Sequence, residues 1–212
     1  MENQDLNTAN DGRLVVPYDK DRKTLTFYDT FFDINGDMIR YDDIAVFQSA
    51  ALNSSSMIYF YFSKSFMYNF DFTLYSGAKY SFSRKGYSAY GIGSYKRIKN
   101  EYETVAQPFY DIVLRKVGDR LIDRISRGAS AKICNLVITS DKLTYEKRKE
   151  NIVIDRSNFG RAVTNKAYMY NSAQIYLKDS KKPVFSCSLN GPNARLIVPV
   201  VNYFFGNGTE EA

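Results

Sequence analysis

Residues 25–47 read LTFYDTFFDINGDMIRYDDIAVF, and their spacing decides the fold. Apolar and polar residues alternate with a period of two, the mark of a half-buried strand. Asn35-Gly36-Asp37 interrupts that alternation. Asn and Gly both tolerate the positive φ that a two-residue hairpin turn demands, so this is a strong hairpin signal. The stretch therefore reads as strands over 25–28 and 31–34, a tight turn, and a third strand over 38–50.

The same pattern extends in the C-terminal direction. MIYFYFS (57–63), FMYNFDFTLY (66–75) and KYSFSRK (79–85) read as strands, with Asn53-Ser54-Ser55-Ser56 as a break between them. Connections this short require antiparallel neighbours, because a parallel crossover takes a dozen residues or more. From Lys96 the period changes. Ile98, Tyr102, Val105, Phe109, Ile112, Val113, Val117, Leu121 and Ile125 recur at three- and four-residue steps. That is one apolar stripe on a helix of about 30 residues. Pro108 should kink or split it, since an interior proline loses a backbone bond and clashes with the preceding turn. Gly128 reads as its stop. Strands return over 133–139, 142–147, 151–155, 161–170, 174–178 and 183–189. A second helix closes the chain, with Asn190 as its cap and Pro192 in its first turn. Ala194, Ile197, Val198, Val201, Phe204 and Phe205 form its buried stripe, and Pro199 should bend it.

LVITSDKLTYEKRKENIVIDRSNF (136–159) can be laid beside residues 25–47. Each has strand, tight turn, strand, polar turn and strand, and Tyr41-Asp42-Asp43-Ile44 falls near Ile154-Asp155-Arg156-Ser157. Strands closed by an amphipathic helix, twice over, resemble the bacterial pleckstrin-homology-like (PH-like) superfold in tandem. The resemblance covers about residues 13–206 and rests on the order of elements. It departs from many such domains in having no tryptophan. It implies an α+β class: two tandem PH-like antiparallel β-barrels or sheets, each closed by a C-terminal amphipathic helix. The first domain would be 13–127 and the second 128–206, with 1–12 and 207–212 as tails.

Composition bounds the function. The 212 residues are 44% hydrophobic and 25% charged, ordinary for a globular chain. Net charge is +6, and residues 96–212 carry 20 of the 29 basic residues against 12 of the 23 acidic ones. A basic half can face anionic lipid, nucleic acid or an acidic protein, or be an ordinary solvated surface. Cys134 and Cys187 match no C-x-x-C pattern. Cys187 alternates with Phe185 and Leu189, so it reads as a small buried apolar residue, and a disulfide is possible but not needed at this size. Residues 1–12 are polar and acidic, unlike a secretory signal, and no run approaches the ~20 apolar residues of a membrane span. The expectation is a cytoplasmic protein.

KGYSAYGIGSYKR (85–97) is the one stretch that suggests a nucleotide loop. Gly86 and Gly91 have the right spacing, but Ile92 and Gly93 stand where the phosphate-binding Lys and the Mg²⁺-holding hydroxyl belong. In the dinucleotide pattern, Lys96 stands where the third glycine should be. The stretch reads instead as a flexible loop whose Tyr87, Tyr90, Tyr95, Lys96 and Arg97 are candidate partner contacts. The chain has no histidine, which excludes Ser-His-Asp and Cys-His catalysis and every His-containing metal site. Asp42 and Asp43 are neighbours on opposite faces of a strand and cannot act as a pair. No catalytic residue, cofactor or metal is therefore assigned. Two basic turns, Lys147-Arg148-Lys149 and Lys181-Lys182, are candidate anion or partner contacts. With neither recognition helix nor stacking platform, nucleic acid is not an expected partner. The expected function is a non-enzymatic binding or adaptor module for a protein or peptide. The alternative is a peripheral module that contacts an anionic membrane surface through the basic turns.

Overall fold

A computed structural model describes residues 13–59, 61–147, 150–166 and 171–206. The chain is α+β, built of antiparallel sheets and helices. It divides into two compact units, Met1–Val117 and Gly118–Ala212, and the division falls inside a helical segment.

In the first unit, β1 (Leu14–Tyr18), β2 (Lys23–Phe27), β3 (Phe31–Ile34) and β4 (Asp37–Arg40) form a meander in which each strand pairs with the next. The β3–β4 turn is the expected one. Asn35 and Gly36 have φ of 57° and 94°, Ile34 pairs with Asp37, and the Gly36 N–H donates to Asp33 Oδ1 at 2.8 Å. The expected third strand over 38–50 is broken, however. Tyr41–Asp43 forms a 3₁₀ turn, because the Tyr41 ring is buried and its hydroxyl reaches back to the Tyr28 carbonyl at 2.9 Å.

A second sheet follows: β5 (Ile44–Ile58), β6 (Tyr61–Leu74), β7 (Lys79–Ala89) and β8 (Ile92–Gly93), again in chain order. Asn53–Ser56 is not a break. It lies within β5, and the Ser54 and Ser56 hydroxyls pair across the ladder with Ser65 and Ser63 at 2.7 and 2.8 Å. Cross-strand hydroxyl pairs make serine compatible with a strand. The chain turns later, beyond Ile58.

The helical segment is α1 (Tyr95–Pro108), a π-helical turn over Phe109–Leu114, and α2 (Arg115–Ser126). α1 ends at Pro108, as the expected split requires, but the chain stays helical through a π-helical turn into α2. The lost proline N–H is absorbed by widening the next turn, the usual setting for a π-bulge. Ile98, Val105, Phe109 and Val113 are buried along its stripe, as read from the sequence. The core of the unit is aromatic. Phe66, Tyr68, Phe70 and Phe72 line one face of β6, and Phe109 packs its ring against Phe27, Phe32, Phe70, Phe72 and Phe82 at centroid distances of 4.4–6.2 Å.

The second unit repeats the order. β9 (Ala131–Ile133), β10 (Leu136–Ile138), β11 (Lys142–Lys147) and β12 (Glu150–Asp155) form a meander, and β13 (Phe159–Lys166), β14 (Asn171–Leu177) and β15 (Phe185–Ser188) a second sheet. The expected strand over 133–139 is a two-residue hairpin instead, with Cys134 at φ 54°. Among the described residues the sheets of neither unit close into a barrel.

The last helix, α3 (Ile197–Phe205), begins later than the sequence suggested. Asn190 does not cap it. Asn193 takes a left-handed conformation and a 3₁₀ turn over Ala194–Leu196 leads in. Pro199 thus lies in the first turn, where an N–H has no helical partner anyway, so nothing forces a bend.

Cys134 and Cys187 are bonded, the alternative to a plain buried apolar role that the sequence leaves open. The bond ties the β9–β10 turn to β15 across a sequence separation of 53 residues. A crosslink over a loop of this size contributes about 2–4 kcal/mol. Reduction, or the double change Cys134→Ser and Cys187→Ser, should therefore lower the denaturation midpoint of the second unit. An unchanged midpoint would show that the bond does not form in the purified protein.

Candidate functional site

The β5–β6 hairpin is longer than the core it covers. On β6, Phe66, Tyr68, Phe70 and Phe72 are buried, while Tyr61 and Phe62 beyond them are exposed. Across the ladder, β5 is exposed from Leu52 to Met57. The β7–β8 hairpin ends beside this overhang: Tyr90 donates its backbone N–H to the Phe62 carbonyl at 3.2 Å. The overhang collects apolar side chains. Of the twelve exposed large hydrophobic residues among those described, eight lie in 52–62 and 87–92. Tyr59 is 90% exposed, Ile92 82% and Met57 71%, so these are not core residues at the rim. Tyr61 and Tyr90 meet edge to face at 5.4 Å and join the two hairpins into one surface.

The glycines of residues 85–97 serve this geometry. Gly86 is buried in β7, where a Cβ would meet Ser94 O at 2.8 Å and Ile98 Cβ at 2.9 Å. It is glycine because the start of α1 lies on it. Tyr90 and Gly91, with φ of 48° and 82°, form the two-residue turn of the β7–β8 hairpin. What the sequence suggested was a flexible loop is thus strand, turn and strand.

The charge here is of one sign. Residues 44–70 and 79–100 contain no Asp or Glu. Lys64 Nζ lies 5.2 Å from the Phe62 ring centre and 5.9 Å from that of Tyr95, and Lys85 Nζ 4.8 Å from that of Tyr87. Such cation–π contacts hold the ammonium groups beside the apolar patch.

Of the residues singled out from the sequence, Tyr87 and Tyr90 are exposed on this surface. Tyr95 is half-buried beneath it, its hydroxyl donating to Asn53 Oδ1 at 3.1 Å. Lys96 is exposed on the first turn of α1. Arg97 points elsewhere, 3.7 Å from both Asp19 and Glu101. Lys147 at the end of β11, and Lys181 and Lys182 after β14, are exposed on turns of different sheets. Lys181 helps line an open cleft of about 500 Å³ with Arg161 and Tyr176. Arg148 and Lys149 lie outside the described residues. The expectation missed Leu52, Met57, Tyr59, Tyr61, Phe62 and Ile92, because a strand's exposure depends on where its sheet outgrows the helix.

Arg97 belongs to an internal ion cluster. Arg84 on β7 donates from Nε to Glu101 Oε1 at 2.9 Å and from Nη2 to Asp19 Oδ1 at 2.8 Å. Tyr68 donates its hydroxyl to Glu101 Oε1 at 2.8 Å, and the Asp19 N–H donates to Glu101 Oε2 at 3.0 Å. Burial opposes ionisation of Glu101, but the bonds from Arg84, Tyr68 and the Asp19 N–H outweigh it and hold its pKa below the ordinary 4.5. Asp19 is held below its ordinary value chiefly by the Arg84 hydrogen bond. Burial, reinforced by the bond to Glu101, drives the Tyr68 phenol far above its usual range. Each oxygen of Glu101 is taken up by an internal donor, so the cluster clamps α1 to the β1–β2 loop, β6 and β7. Among the described residues no group of His, Cys, Asp and Glu could hold a metal ion. No helix among them is long and apolar enough to cross a membrane. The chain matches no protein-family model and no curated protein.

Proposed function

We propose that this chain is a non-enzymatic binding module of two PH-like units, and that the overhang of the β5–β8 sheet is where it meets a protein partner. The PH-like reading is supported by the order shared by the two units: a four-strand meander, a second antiparallel sheet, then a helix. The binding reading is carried by one observation, the crowding of exposed Tyr, Phe, Ile and Met onto two adjacent hairpins. Monomers rarely expose contiguous apolar patches without using them. Tyrosine with Ser, Asn and Gly is also the composition of paratopes, where tyrosine gives rigid contact area and the small polar residues give adaptable hydrogen bonds. The flanking lysines and the absence of acid favour an acidic, partly apolar partner surface. The disulfide favours an oxidising compartment over the cytoplasm expected from the sequence, since cytoplasmic thiols are kept reduced.

The test is capture of partners from the native cell with three baits: wild type, Tyr61→Ser with Tyr90→Ser, and Lys147→Glu with Lys181→Glu and Lys182→Glu. The tyrosine variant should lose the partner, with affinity falling about 30-fold or more, the size of a hot-spot change. The lysine variant should keep it. The reverse pattern, or co-sedimentation of the wild type with anionic vesicles abolished by the lysine changes, would establish the membrane alternative instead.

A further inference from the structure

A different observation concerns β5 itself. Its outer stretch, Leu52–Ile58, lies at the end of the sheet: β6 pairs with it on one side, and among the described residues no strand pairs with this stretch on the other. Natural edge strands are blunted by lysine, proline, bulges or shortness. Over its fifteen residues β5 has no charged residue, no proline and no glycine. Its one irregularity lies at Ile44/Val46, and the register with β6 is unbroken from there to Ile58. The outer stretch Leu52–Ile58 reads LNSSSMI, which is nearly symmetric about Ser55: Ser54 against Ser56, Asn53 against Met57, Leu52 against Ile58.

We infer that β5 pairs antiparallel with β5 of a second copy of this chain about a twofold axis at Ser55, joining two four-stranded sheets into one of eight. Antiparallel pairing of a strand with itself sets each residue opposite its mirror position, so any charge near the axis would face its own kind. This strand carries none, although the chain as a whole is at +6 and identical copies repel. The register also completes a row already begun. Ser54 and Ser65 pair at 2.7 Å, and Ser56 and Ser63 at 2.8 Å, on one face of the hairpin. Pairing about Ser55 brings Ser54 beside Ser56 of the second copy and extends the hydroxyl row across the axis. On that same face Leu52, 51% exposed, lies opposite position 58 of the second copy.

Light scattering during size-exclusion chromatography of the full chain tests this. Wild type should run at twice the chain mass. Ser55→Lys and Ser55→Glu should each run at the chain mass, with dimer affinity lowered at least tenfold and circular dichroism unchanged. Mixed in equal amounts, the two variants should recover the dimer, because opposite charges then meet at the axis. A wild type that stays at the chain mass at every concentration overturns the inference. A dimer that survives either single variant overturns the use of this edge, and failure of the mixture to recover overturns the pairing about Ser55.

Discussion

Phe109→Ala should remove about 4–5 kcal/mol from the first unit, near the upper range for a buried aromatic truncated to alanine. The ring is fully buried and touches five others, from β2, β3, β6 and β7. These rings belong to both sheets of the unit, so no single strand can move to fill the space. A domain has only about 5–15 kcal/mol of stability in total, so the loss should leave the unit largely unfolded under mild denaturant. Phe109→Leu keeps most of the volume and should cost clearly less. Denaturant titration followed by circular dichroism measures both. An alanine variant that unfolds at the wild-type midpoint would mean that the ring is not at the centre of the core.

The second large effect is expected at Glu101. Glu101→Ala strands Arg84 with Asp19 alone and leaves the Tyr68 hydroxyl and the Asp19 N–H without an acceptor. Breaking a buried ion pair from one side costs about 3–5 kcal/mol. Arg84 is only 20% exposed, so water compensates little. The pH dependence has a definite sign. Glu101 and Asp19 have folded pKa values below their ordinary 4.5 and 3.8. Their stabilisation is therefore fully present above those values and lost as pH falls through the lower folded ones. Stability of the first unit should hold from neutral pH down to about pH 5 and then decline. Glu101→Gln should flatten that acid limb while lowering the neutral plateau. An acid limb as steep in the glutamine variant as in wild type would remove Glu101 from the linkage.

What the sequence made legible follows from how local each signal is. The Asn35-Gly36 turn, the change of period at Lys96 and the buried stripe from Ile98 to Val113 are written within a few residues, and each is found where it was expected. Leu14–Tyr18 is not legible as a strand because five residues containing Pro17 give no clear period. Asn53–Ser56 was misread because serine marks turns only when its hydroxyl serves its own backbone. Here the hydroxyls serve the neighbouring strand. The Arg84–Glu101 cluster and the Cys134–Cys187 bond join residues 17 to 82 positions apart, and no local pattern announces such pairs. The apolar overhang was half legible. Tyr87 and Tyr90 were singled out, but the residues of the β5–β6 hairpin look like core strand until the extent of the helix beneath them is known.

The Cys134–Cys187 bond also changes what proteolysis can do to this molecule. Every peptide bond between the two cysteines lies inside a covalent ring. A single cut there opens the ring without releasing a fragment, and the product keeps its full mass until a thiol is added. Nicked molecules would thus go unseen on a non-reducing gel and separate into two pieces only on a reducing one.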